Sequence, residues 1–202
     1  MQRSGPSCSR TSVSPVVDAL EQLAAEASGC RRCPLAETRT QVVFGVGDPS
    51  SRLVFVGEAP GRDEDLKGEP FVGRSGQLLD RLVLEEIGLT RDRFYITNVV
   101  KSRPPGNRDP RPDEIEACRP WLERQLDLID PIVVVTLGNF ASKLLLATSD
   151  GITKLRGRTY PYRNGVLIPT FHPAAVLRGG GEPMAKVRAD LIRVKQALAA
   201  AA

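Results

Sequence analysis

"LVFVGEAPGRDED" (residues 53–65) decides how this chain is read. Its first five residues, Leu53 to Gly57, form an unbroken apolar run. A strand with one wet face alternates apolar and polar residues, whereas a strand without alternation is covered on both faces, as in a parallel sheet between helices. Three further runs share this character: "FYITNVV" (94–100), "IVVVTLG" (132–138) and "VLIPTF" (166–171). Helical patterns separate them, "GQLLDRLVLEEIG" (76–88), "PDEIEACRPWLERQLDLI" (112–129) and "FASKLLLA" (140–147). Two more helices are expected, at 15–28 with Pro15 suited to its first turn, and at roughly 184–198. The alternation predicts an α/β fold, three layers α/β/α around a central, mainly parallel four-stranded sheet. Residues 1–14, rich in Ser, Arg and Gly, read as a disordered tail, and 15–202 as a single domain without internal repeats.

In open α/β sheets ligands bind beyond the carboxyl ends of the strands. The unusual residues of this chain fall there: "GEAPGRDED" after the first run, "TNVVKSRPPGNR" at the end of the second, "HPAAVLRGGG" after the fourth. Three distant segments are therefore expected to converge on one edge. The first turns sharply at Gly and Pro and carries Glu58, Asp63, Glu64 and Asp65, carboxylates able to orient or deprotonate water or to stabilise positive charge; a solvated acidic loop would look the same. Phe71, between Pro70 and Gly73, either caps the core or offers a stacking plate to a planar ligand. Asn98 either satisfies a structural turn or reads a pyrimidine edge with its donor and acceptor. His172, the only histidine, precedes Pro173; it is either structural or a hydrogen-bond donor to a leaving group. No G-x-S-x-G turn is present, so covalent acyl transfer is not expected.

Composition excludes other classes. The chain has 202 residues, 41% hydrophobic and 26% charged, as an ordinary globular protein does. No run of 18 apolar residues could span a bilayer, and "MQRSGPSCSRTSVSP" lacks the apolar core of a secretory signal, so the cytoplasm is the expected location. The net charge of +4 is unevenly placed. Residues 151–202 carry nine Lys or Arg against Glu182 and Asp190, net +7, and "KSRPPGNRDPR" sets Lys101, Arg103, Arg108 and Arg111 around Asp109 alone. Such patches suit a polyanion, or are simply solvated. Four cysteines at uneven spacing do not make a disulfide framework. "CRRC" (30–33) asks instead for a metal, an iron–sulfur cluster or a redox partner, with Cys8 and Cys118 as the only other thiols.

Taken together the motifs resemble those of the family 4 uracil-DNA glycosylases, the iron–sulfur branch of their superfamily. The likeness runs from roughly Cys30 to Arg193 and rests on "GEAPGRDED", "FVGRSGQLLD", "ITNVVKSRPPGNR" and "FHPAAVLR" in that order. The resemblance implies that uracil is flipped out of deaminated DNA and its N-glycosidic bond hydrolysed, leaving an abasic site. It implies that Phe71 stacks on the uracil, that Asn98 bonds its O4/N3 edge, and that His172 donates to O2. Glu58 and Glu64 would place and activate water and stabilise the cationic sugar, and Gly57 and Ala59 would line the pocket. Leu177 is the implied wedge, Arg178 a phosphate contact, and Arg103 and Arg108 lie against the DNA backbone. The partner is uracil-containing DNA, with no membrane, and the protein is expected to act as a monomer. One branch of the superfamily bonds to its product through a histidine in the central loop; this chain has none there, so turnover is expected.

The same resemblance implies a [4Fe–4S] cluster, with Cys30, Cys33 and Cys118 matching three ligands. At the position of the remaining cysteine stands Ser102. Ser102 could ligate through oxygen, a poorer donor to iron; Cys8, whose flexible 22-residue tether reaches roughly 25 Å, could replace it; or the site holds a degraded cluster or nothing. Zinc is a second reading, and a redox-active pair a third. Two other functions stay open: a catalytically silent DNA- or uracil-binding module, and an iron–sulfur redox protein.

Overall fold

Residues 14–201 are described by the structure, a computed structural model. The expected tail, apart from Ser14, and with it Cys8, lies outside the described residues. The sheet comprises β1 (Val46–Gly47), β2 (Leu53–Gly57), β3 (Tyr95–Asn98), β4 (Val133–Leu137), β5 (Tyr160–Tyr162) and β6 (Gly165–Thr170), in the order β1-β3-β2-β4-β6-β5. The four inner strands are parallel, and they are the four apolar runs of the sequence. Two antiparallel edge strands, β1 on β3 and β5 on β6, make the sheet six-stranded rather than four-stranded. These edges are two and three residues long, half-buried, and contain Gly47 and Pro161. They are too short to show a period, and proline is at home on an edge whose N–H faces no neighbour.

Among the described residues the helices are α1 (Pro15–Ser28), α2 (Leu35–Thr38), α3 (Arg62–Lys67), α4 (Arg74–Glu86), α5 (Pro112–Ile129), α6 (Asn139–Leu146), α7 (Ile152–Leu155), α8 (Pro173–Gly179) and α9 (Gly181–Ala200). Alternation along each strand feeds two cores. Val54, Val56 and Val134 pack with Leu23, Leu122 and Leu126 of α1 and α5. Phe55, Ile96 and Val135 pack with Leu79, Leu82 and Leu191 of α4 and α9. Each such side chain, removed from water, contributes about 1.5–3 kcal/mol, which explains why the inner strands needed no polar face. None of the helices among the described residues is long and apolar enough to cross a membrane.

Two of the segments that follow strands are helical. The acids of "GRDED" lie on α3, where Glu64 at the third position accepts from Gly61 N at 3.1 Å and closes the first turn. "PAAVLR" forms α8, started by Pro173 and capped by His172, whose Nδ1 accepts from Ala174 N at 3.2 Å.

The end of β6 is pinned to α9. Thr170 Oγ1 donates to Asp190 Oδ2 at 2.7 Å, and Arg156 donates to both Asp190 oxygens at 3.0 and 2.7 Å. Asp190 is 1% exposed. Removing one partner of such a pair leaves the other charge buried, so Asp190→Ala is expected to cost about 3–5 kcal/mol in urea denaturation; a loss below about 1 kcal/mol would show that the pair does not hold the helix.

Candidate functional site

β2 and β3 end side by side, with Gly57 opposite Asn98. A Cβ at Gly57 would stand 2.4 Å from Asn98 Oδ1 and 2.5 Å from Phe71 Cζ, so only glycine lets strand, amide and ring meet. Phe71 holds a left-handed backbone, φ 57°, which is unusual for a bulky residue. Its surroundings enforce it. Arg91, paired with Asp80 at 3.0 Å, donates to Pro70 O at 2.5 Å. Glu64 Oε1 accepts from Val72 N and Gly73 N at 3.0 Å each. Gly76 admits the Phe71 carbonyl, which would lie 1.7 Å from a Cβ there.

Asn98 is buried, and its Oδ1 is the one buried side-chain nitrogen or oxygen among the described residues without a hydrogen-bond partner. An acceptor left so costs about 1–3 kcal/mol, and such an orphan in a native fold asks for a missing donor. His172 packs over Phe71, ring centroids 5.7 Å apart, with its Cβ against Gly138. Because Nδ1 accepts from Ala174 N, the proton of the neutral ring sits on Nε2. Burial, with Arg178 nearby and Glu64 opposing, lowers the His172 pKa to about 4, so the ring is neutral near pH 7.

The two glutamates differ in surroundings. Both oxygens of Glu64 accept backbone N–H groups, from Gly61, Val72 and Gly73. Glu58, half-buried at the end of β2, has its pKa pushed up to about 7 by burial and then by the charge of Asp109. Asp109 was read in the sequence only as an acid among cations.

Glu58, Ala59, Glu64, Phe71, Asn98 and His172 line one cavity of about 720 Å³, with Gly57 directly behind it. Arg178 also lines it, as do Arg62 and Arg74, which the sequence reading did not single out. Arg108 reaches the wall, but its guanidinium is turned to the fully buried Glu114, at 2.9 and 2.6 Å, which fixes the loop to α5. Arg103 and Leu177 stand outside the lining: Arg103 Nε donates to Asn107 Oδ1 at 2.6 Å, and Leu177 projects from α8, 44% exposed. The slot thus offers an aromatic plate, an unsatisfied acceptor, a neutral N–H donor and a carboxyl that ionises near neutrality.

A second cleft is lined by Cys30, Cys33, Cys118 and Ser102, together with Arg39, Lys101 and Trp121. Lys101 N donates to Cys118 Sγ at 3.1 Å and Trp121 Nε1 to Cys30 Sγ at 3.3 Å. Burial raises the Cys33 and Cys118 thiols, so their thiolates need a positive partner. Lys101 is buried without a carboxylate; its Nζ bonds Thr97 Oγ1 at 2.6 Å and Asn98 O at 2.7 Å, and burial lowers it to about 7. Arg32 stacks on Trp121 at 4.8 Å. No group of three or more His, Cys, Asp or Glu among the described residues is already gathered at metal-ligand spacing. Arg39, Lys101 and Trp121 had gone unnoticed as neighbours of the cysteines, since nothing in their spacing marks them.

Comparison with known proteins bears on the first cavity. The profile of the Uracil DNA glycosylase superfamily matches residues 44–194. A type-4 uracil-DNA glycosylase of Sulfurisphaera tokodaii is 46% identical over 169 residues, 80% of this chain and 77% of that protein. That of Archaeoglobus fulgidus is 47% identical, over 80% of this chain and 84% of that one. The Saccharolobus solfataricus protein is 43% identical, over 90% and 88%. The profile spans β1 to α9 and so takes in each strand end that lines the cavity. The chain belongs to the uracil DNA glycosylase superfamily, in its type-4 branch.

Proposed function

We propose that the protein is a uracil-DNA glycosylase that takes uracil out of the duplex and hydrolyses the bond between its N1 and the sugar C1′. The observation that carries this reading is the orphaned Asn98 Oδ1, buried at the cavity wall. Uracil presents an N3–H donor beside its O4 acceptor, the complement of the Asn98 amide. Cytosine presents a bare N3 beside an amino group, which would set acceptor against acceptor. Phe71 supports the base by stacking, and Gly57 leaves room for both.

As the N1–C1′ bond breaks, its electron pair leaves with the base and negative charge grows on O2. The His172 Nε2–H meets that charge as a neutral donor. Positive charge grows on the sugar, and water adds at C1′ while its proton passes to a carboxylate. Glu58 suits that task, because its own oxygens are not tied to backbone donors as those of Glu64 are. Glu64 instead positions Phe71 through Val72 and Gly73. Flipping is required because the bond is inaccessible within the stack. Leu177, exposed on α8, suits the wedge that fills the gap, with Arg178, Arg103, Arg62 and Arg74 as phosphate contacts. Arg108 acts through Glu114 as a positioning residue. A silent uracil-binding module would share Asn98 and Phe71, but would have no use for a carboxyl ionising near neutrality.

The cysteine cleft fits an anionic iron–sulfur cluster: three soft thiol donors, N–H groups on two of the sulfurs, and the guanidinium of Arg39 beside them. We infer a [4Fe–4S] cluster there, held by Cys30, Cys33 and Cys118. When bound, it would serve structure, because glycosidic hydrolysis involves no net oxidation or reduction. It would brace the segment from Asn98 to Arg108 against α5.

Incubation with a uracil-containing oligonucleotide, followed by alkali, should give strand breaks at uracil; intact strands would leave only the binding module. His172→Ala should slow excision about 10²–10³-fold, well beyond what the loss of the α8 cap, about 0.5–2 kcal/mol of stability, accounts for, and an unchanged rate would remove His172 from the chemistry. Asn98→Asp should weaken discrimination against cytosine, read from paired uracil and cytosine oligonucleotides; full retention of selectivity would break the edge-reading assignment. Glu58 must be ionised, so kcat/KM should fall as pH drops below about 7. Glu58→Gln should lack this limb and be about 10²–10⁴-fold slower; an unchanged limb would place the base elsewhere.

A further inference from the structure

We infer that the cluster in the cysteine cleft is held firmly at three corners and carries one labile iron, at the corner faced by Ser102. The inference rests on the cluster reading above and concerns what this chain's own residues do to it. Cys30, Cys33 and Cys118 bring thiols to the cleft, and two of those sulfurs receive N–H bonds, from Lys101 N at 3.1 Å and Trp121 Nε1 at 3.3 Å. At the remaining position the side chain is a hydroxyl. It is buried, 6% exposed, so water does not readily take its place as the ligand. Its Oγ is also engaged: Arg39 Nη1 donates to it at 3.3 Å.

Arg39 is not a loose side chain that could swing aside. It stands at the end of α2, with Nη2 donating to Cys30 O at 2.7 Å and to Ser28 O at 3.4 Å. The guanidinium is thereby fixed between the CxxC loop and Ser102, and it directs an N–H at one of the two lone pairs of Ser102 Oγ. A hard oxygen is already a weaker donor to soft iron than thiolate. The iron at this corner is then retained mainly by its three bridging sulfides.

The consequence is a defined redox step. Given a one-electron oxidant, the [4Fe–4S]²⁺ form gives up the Ser102-corner iron as Fe²⁺ and passes one electron to the oxidant, leaving [3Fe–4S]⁺ on the three cysteines. The bonds broken are those from the departing iron to its three sulfides, and no protein covalent bond changes. Reduction with added Fe²⁺ reverses it.

The test uses the full chain, reconstituted anaerobically with iron and sulfide, as wild type, Ser102→Cys, Ser102→Ala and Cys8→Ser. Each is given one equivalent of ferricyanide, and released Fe²⁺ is followed with the EPR signal of an oxidised three-iron cluster. Wild type, Ser102→Ala and Cys8→Ser should all lose one iron per cluster and develop the signal. Ser102→Cys should keep four irons, with release at least about tenfold slower. Wild type holding its fourth iron as tightly as Ser102→Cys would overturn the inference, and if Cys8→Ser alone then released it, Cys8 would be the ligand. Faster loss from Ser102→Ala than from wild type would overturn it too, since Ser102 would then be holding the iron. If no form takes up iron and sulfide, Ser102→Cys included, the cluster reading itself fails; a four-iron Ser102→Cys keeps that reading whatever wild type does.

Discussion

At the carboxyl ends of β2 and β3 the backbone of Gly57 lies opposite that of Asn98, and the hydrogen atom in place of a Cβ is what allows the Phe71 ring and the Asn98 amide to approach one point. The parallel register sets that pairing, and the two cores on either face of the sheet hold the register. A slip of one residue would turn Asn98 toward the opposite face and bring Thr97 to the cavity. On the proposed reading, selectivity for a base would descend from strand packing, with the hydrogen-bonding group carried on a rigid strand rather than on a flexible loop.

Two carboxylates only six positions apart are given different work by their neighbours. Glu64 is saturated by three backbone N–H groups and behaves as part of the scaffold. Glu58 is half-buried, and burial first, then the like charge of Asp109, holds its proton to near neutrality. The histidine is moved the other way, which leaves its ring neutral near pH 7.

Much of this could be read from the chain. The inner strands announced themselves because burial on both faces leaves no polar residues in "LVFVG" or "IVVVTLG", and the placement rule for open sheets led to Glu58, Asn98 and His172. The edge strands could not be read, since two or three residues with Gly or Pro carry no period. Nor could α8, whose start depends on a side chain, His172, folding back on Ala174 N. The division between Glu58 and Glu64 lay in hydrogen bonds to residues 61, 72 and 73, which no local motif encodes. Arg108 looked like a free cation because Glu114, its buried partner, reads in sequence as an ordinary first-turn acid.

The left-handed backbone at Phe71 carries a conformational penalty of about 1–3 kcal/mol, and the bonds from Arg91 and Glu64 and the space at Gly76 meet it when the chain folds. On the proposed reading, an arriving nucleotide would find the aromatic plate already set and lose little free energy to ordering the protein. Cognate and non-cognate bases enjoy that saving equally. The preference between them is left to the amide edge alone, where a mismatch cannot be relieved by the ring moving away.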